Sequence, residues 1–114
     1  MKVLNVLLQV GDILGKEISI PFNKWSKNRL LYTKFSTCRN RKYGDVGDFF
    51  YVNNIKYKLD LVIQLPIWFI ANELWFSEGA ICKKEFNDII NKIYKNKVFN
   101  KNTLLWYHHF KLVK

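Results

Sequence analysis

Cysteine, proline and acidic residues are all scarce in this chain, and each scarcity removes a class of protein. Two cysteines in 114 residues, Cys38 and Cys82, cannot build a disulfide scaffold. Two prolines and five glycines leave no linker and no low-complexity tract, so residues 1–114 read as a single domain. No apolar run reaches the ~20 residues that a membrane span needs. Leu65 to Phe76 is broken by Asn72 and Glu73. The opening run, Val3 to Val10, is interrupted by Asn5 and Gln9 and followed by Gly11-Asp12 rather than a small-residue cleavage site. It therefore reads as a buried strand and not as a secretory leader. A cytoplasmic protein with no membrane partner is expected. Zinc-ligand spacing is missing too: the two cysteines stand apart, and His108 and His109 are neighbours on an expected strand, where side chains alternate faces. We expect no metal and no other cofactor.

What the chain does have is apolar and basic. Hydrophobic residues make up 49%, enough for a true core. Nineteen lysines and arginines against nine acids give a formal charge of +10, which favours a polyanionic partner. The charge is segregated. Ile18 to Gly44 contains no acid but has Lys24, Lys27, Arg29, Lys34, Arg39, Arg41 and Lys42, and after Asp88 there is again no acid. Aromatics interleave with both stretches, Trp25, Tyr32, Phe35 and Tyr43 in the first and Tyr94, Phe99, Trp106 and Tyr107 in the second. Cations for phosphates beside rings for bases are what single-stranded nucleic acid requires. The same rings can also be core, with the lysines a solvated face, and charge alone would equally suit a structural protein on duplex DNA.

Periodicity supplies the elements. Pro21 to Tyr32 reads as a helix with Trp25 and Leu31 inward, and Phe35 to Arg39 as a short strand. Phe49 to Val52 runs into Asn53-Asn54, a dipeptide tolerant of positive φ. Beyond it Ile55, Tyr57, Leu59, Leu61 and Ile63 alternate with Lys56, Lys58, Asp60, Val62 and Gln64, the pattern of an antiparallel hairpin strand with one wet face. Pro66 opens a short helix through Trp75, on which Trp68 and Trp75 read as core. Lys83 to Tyr94 is a helix with Phe86, Ile89, Ile90 and Ile93 on one face. Leu104 to Val113 closes the chain as a strand with Trp106, His108 and Phe110 together. The order is α+β, and the short strands suit a small, twisted, partly closed antiparallel barrel with two to three flanking helices. Asp45 and Asp48 read as turn chemistry, and His108 as a core or pocket-wall imidazole.

Chemistry concentrates in Lys34-Phe35-Ser36-Thr37-Cys38-Arg39. Side chains three apart on a strand point oppositely, so Lys34 and Thr37 meet only where the chain bends into the strand, whereas Thr37 and Arg39 share a face. A lysine amine whose pKa is lowered can serve as base to a threonine hydroxyl, and an arginine beside it holds a phosphate or carbonyl oxygen. Glu78, which follows an apolar helix, could cap a turn there or, if it lies beside the cations, pair with Lys34 or Arg39. The ordered set Lys34-x-x-Thr37-x-Arg39, Gly47-Asp48, Glu78-Gly79, a helix carrying Phe86 and a closing His109-Phe110 resembles the ASCH domain, a branch of the PUA-like superfamily of small β-barrels. Two positions depart from the family: Leu30-Leu31-Tyr32-Thr33 replaces the glycine-containing turn before the lysine, and Cys82 replaces the usual Ser or Thr helix cap. The resemblance implies a basic cleft that binds RNA or a nucleotide, floored by Lys34, Thr37, Arg39 and Glu78, with Arg41, Lys42 and Lys24 as further phosphate contacts. A bacterial branch hydrolyses the acetyl amide of N4-acetylcytidine with a Lys-Thr-Glu triad, and by motif match those roles fall on Lys34, Thr37 and Glu78. Another branch is described as a ribonuclease. A shared fold does not fix which of these applies.

Overall fold

The structure, a computed structural model, describes residues 15–30, 32–93 and 100–114. The strand expected over Val3 to Val10 lies outside them, as do Leu31 and Tyr94. Four strands, β1 (Ser36–Arg39), β2 (Phe49–Val52), β3 (Ile55–Pro66) and β4 (Leu104–Leu112), form one antiparallel sheet in the order β1-β4-β3-β2, a half-barrel flanked by helices. The fold class is the one expected.

The β2–β3 hairpin turns on Asn53 and Asn54 at φ of 52° and 67°, the two positive values that match the twist of a tight hairpin. Past the turn the alternation on β3 does not hold as read. Leu59 stands opposite Phe110 while Leu61 stands opposite His109, so Asp60 is an extra residue, a β-bulge. The bulge moves Leu61, Ile63 and Leu65 to the other side of the sheet from Tyr57 and Leu59. Leu61 and Ile63 consequently emerge 46% and 41% exposed instead of entering the core with Leu59.

Each side of the sheet has its own core. Phe50, Tyr57, Leu59 and Phe110 pack with Ile20 and Leu30 on one side; Cys38, Leu105 and Tyr107 pack with Ile67, Ile70, Phe86 and Ile90 on the other. The second side is covered by two helical pieces. The first starts after Pro66 as one α-turn, α2 (Ile67–Phe69), widens to a π-turn (Ile70–Leu74) and tightens to a 3₁₀ turn (Trp75–Ser77). The wide turn adds a residue to the register, so Trp68 and Trp75 do not share the core face seven residues apart should give. Trp68 is exposed, and Trp75 packs against the core from its edge. The second piece, α3 (Lys83–Ile93), buries Phe86 and Ile90 as its spacing demands. The first helix, α1 (Lys24–Arg29), is shorter than expected. Asn23 is its N-cap and accepts from the Ser26 amide at 2.8 Å, leaving Pro21 and Phe22 extended ahead of it. β1 is thus an edge strand between α1 and α3, and the site lies there.

Candidate nucleotide cavity at the sheet edge

A cavity of about 370 Å³ opens beside β1. The Phe22, Trp25 and Phe86 rings and the Ile89, Ile90 and Ile93 face of α3 make its apolar wall; Lys34, Thr37, Arg39 and Glu78 all line it. Local structure brings them together. The chain turns from α1 into β1 through Lys34, whose backbone pairs antiparallel with Glu78. Gly79, at φ +93°, lets the chain turn away at once, where a side chain would collide with Lys34.

The Lys34 ammonium donates to the Glu78 carbonyl oxygen at 3.1 Å, and its nitrogen lies 3.9 Å from Glu78 Oε1, both side chains being buried. Burial pushes the Lys34 pKa below 10.5; the Glu78 carboxylate pulls it back, and the Arg39 guanidinium adds to the lowering. Thr37 Oγ1 accepts from Arg39 Nη1, confirming the shared face. Arg39 also donates to the Cys38 carbonyl at 2.8 Å and, from Nη2, to the Pro21 carbonyl at 2.7 Å, with its guanidinium 5.3 Å from the centre of the Phe22 ring. Arg39 therefore bolts the segment ahead of α1 to the edge strand while two of its five N–H groups stay uncommitted to these bonds. Among the described residues no hydrogen bond joins Lys34 to Thr37 directly.

Behind the cavity runs a polar chain that sequence reasoning missed. Ser36 Oγ donates to Glu78 Oε2 and meets Ser77 Oγ at 2.7 Å; Ser77 Oγ meets the Tyr107 hydroxyl at 2.7 Å and donates to the Leu74 carbonyl at 2.7 Å. Ser36 and Ser77 are fully enclosed. Their only sequence signal is that Ser36 points away from its neighbour Thr37 on a strand. Cys38, the next residue on that face, has its thiol pKa raised well above 9.0, first by burial and then by Glu78, so it stays a neutral thiol.

The remaining candidates fall elsewhere. Lys24 and Arg41 are exposed and outside the cavity lining; Arg41 lies 4.2 Å from the Tyr43 ring centre. Lys42 pairs with Asp45 at 2.7 Å, also outside it. Asp48 accepts the Lys16 and Asp45 amides, the turn role expected for it. His108 is enclosed and neutral: its Nδ1 donates to the Thr37 carbonyl at 3.3 Å and its Nε2 accepts the Tyr43 amide at 3.1 Å, and burial lowers its pKa below 6.5. His109 pairs with Asp60 on the opposite face. Among the described residues no group of three His, Cys, Asp or Glu side chains could hold a metal, and no helix is long and apolar enough to cross a membrane.

No sequence-family model and no curated protein sequence matches the chain. Its fold does match solved structures. The ASCH domain of Lactobacillus crispatus aligns over 98% of this chain and 94% of its own, at 13% identity and a TM-score of 0.57. A DUF984 protein of Enterococcus faecalis aligns over 96% of this chain and 85% of its own, at 13% identity and a TM-score of 0.58. At such identity the likeness is one of fold, and the fold the motif order implied is the one present: the chain has the architecture of an ASCH domain.

Proposed function

We propose that this protein is a binding module for RNA or a nucleotide, with one nucleoside held in the cavity beside β1. The observation that carries the reading is the convergence of Lys34, Thr37, Arg39 and Glu78 on one cavity walled by three aromatic rings. A base between rings needs hydrogen-bond partners at its edge. Here the Thr37 hydroxyl proton, the Lys34 ammonium and the spare Arg39 N–H groups are donors, and the carboxylate of Glu78 is the acceptor. The cavity volume suits one small ligand rather than a duplex. The net charge of +10 brings a phosphate-bearing ligand to the surface. Titration with the four nucleoside 5′-monophosphates, followed by amide chemical shifts, tests it. Saturable binding of at least one is expected, with shifts at Thr37 and Glu78 and with loss in Thr37→Val and Lys34→Met. No saturable binding by any nucleotide or single-stranded RNA refutes it.

The depressed pKa of buried Lys34 favours a second reading, hydrolysis of the acyl amide of acylated cytidine. A neutral amine in that cavity can take the Thr37 proton as the Thr37 oxygen attacks the acyl carbonyl, and return it to the cytidine N4 as the amide C–N bond breaks. Water then hydrolyses the Thr37 ester and releases the acid, with Glu78 holding the amine throughout. Release of cytidine from N4-acetylcytidine, abolished by Thr37→Ala and by Lys34→Ala, is the expected result; no cytidine leaves the binding module alone.

A further inference from the structure

The bulge at Asp60 leaves an outer sheet face that the cavity does not use. Phe50, Tyr57, Leu59 and Phe110 point into one core, so the residues between them point the other way, and the helices cover only the half of that face around Leu105 and Tyr107. On the uncovered half the register sets Tyr51 opposite Lys56, Phe49 opposite Lys58 and Lys58 opposite Lys111. Lys56 Nζ lies 4.3 Å from the centre of the Phe49 ring, and Tyr51 is half exposed. Beyond Lys111 come His109 and, flanking it, Phe35 and Phe76, 38% and 48% exposed. Phe35 stands 5.3 Å from the His109 ring and 6.1 Å from Phe76. Leu61, Ile63, Leu65, Phe69 and Leu74 line an apolar groove beside these rings. Among the described residues paired on this face the acids are Asp60, bound to His109, and Glu17, bridged to Phe49 at the outer edge of β2.

We propose that this face is a stacking platform for single-stranded RNA, so that the ligand is a polymer rather than a free nucleotide. The proposal deepens the nucleotide-binding reading and rests on it for the class of ligand. Rings that lie open on a sheet accept unpaired bases, whatever their sequence, and lysines interleaved with them neutralise the phosphates between. Lys56, Lys58 and Lys111 lie at the Phe49 and Tyr51 end of this face, a charge that suits a phosphate backbone better than the centre of a protein interface. A duplex offers its phosphates but no open base faces.

The experiment compares a fluorescently labelled single-stranded RNA of roughly eight nucleotides with the same strand annealed to its complement and with the nucleoside monophosphates. Wild-type protein is expected to bind the strand at least tenfold more tightly than any monophosphate or the duplex. Phe76→Ala and Phe35→Ala should each weaken the strand roughly five- to hundredfold, the loss of one stacked base, while leaving monophosphate affinity unchanged. Lys111→Gln should lower the log–log salt slope by about 0.7. All three side chains have exposed surface, and circular dichroism confirms that each variant folds. Monophosphates that bind in the cavity, with an oligonucleotide no tighter and Phe76→Ala silent, would overturn the platform and leave the cavity standing. Strand binding that fails in the ring variants but survives Thr37→Val would uphold the platform and remove the cavity.

Discussion

Replacing Gly79 by alanine tests whether the geometry around Lys34 and Glu78 is as tight as the structure says. Gly79 has φ +93°, outside the range an L side chain occupies comfortably, which costs about 1–2 kcal/mol. A Cβ there would also stand 2.9 Å from Lys34 Cβ and 3.4 Å from Arg29 Cβ. Lys34 Cβ cannot retreat easily, because the Lys34 backbone is bridged to Glu78 and its Nζ is bonded to the Glu78 carbonyl. Overpacking of that kind adds about 1–3 kcal/mol. Together these predict a loss of about 2–5 kcal/mol, or roughly 8 °C or more in Tm for a domain of this size. Gly44→Ala is the internal control. Its Cβ would meet Ile18 Cδ1 at 2.6 Å, Asp48 Oδ2 at 3.1 Å and Leu59 Cδ1 at 3.2 Å, a collision without positive-φ strain. It should cost about 1–3 kcal/mol, overpacking alone. Thermal and urea denaturation of both variants reads the difference. A Gly79→Ala shift under about 2 °C would refute the reasoning, because neither strain nor collision would then exist.

Three further outcomes follow from named contacts. Ser36→Ala strips Glu78 Oε2 and Ser77 of an enclosed partner and should lower stability by about 1–3 kcal/mol at an unchanged urea m value; a loss below 0.5 kcal/mol, to order of magnitude, contradicts the polar chain. His108 binds its proton less readily folded than unfolded, so the unfolded chain holds more protons between its lowered pKa and 6.5. Stability must therefore fall as pH drops below 6.5, and a wild-type Tm that is flat from about pH 7 to about pH 5.5, or equally steep in His108→Gln, would show that this imidazole is not the cause. At φ 67°, Asn54→Val should cost about 1–2 kcal/mol while Asn54→Gly folds like the wild type; the reverse order, read by chemical denaturation, denies the tight turn.

How much of this was legible in the sequence depends on the range of the interaction involved. The Asn53-Asn54 hairpin, the apolar face of α3 and the closing strand were legible, because each is written in neighbours one to four positions apart. The bulge was not: Asp60 sits in an unbroken alternation, and only the pairing of β3 with β4 makes it the extra residue. The change from α to π to 3₁₀ after Pro66 was hidden for the same reason, and it put Trp68 in solvent. In the site, Thr37 and Arg39 share a face by strand period, which local reasoning supplies. The approach of Lys34 to Glu78 spans 44 positions and came from motif order, not from spacing. Ser36, Ser77 and Tyr107 left no trace, since a buried serine looks like any other serine until its partners are known.

The same distinction bears on what the positive charge is for. Composition counts every cation alike, but the fold divides them. Lys34 is buried against Glu78, Arg39 gives three of its bonds to the chain itself, and Lys42 and Lys84 are paired with acids, so these contribute less to a long-range field than their number suggests. Lys111 and Lys56 stand instead on an open face among rings, where a neutralised phosphate releases a counterion and leaves a measurable salt slope. Cavity and face should thus differ in how binding responds to salt. A monophosphate held in the cavity, where Lys34 and Arg39 are already bonded to the chain itself, should lose less affinity between low and moderate salt than a strand crossing the open lysines. Equal slopes for the two ligands would mean that one undivided cationic surface binds both, and the division of labour argued from these side chains would fail.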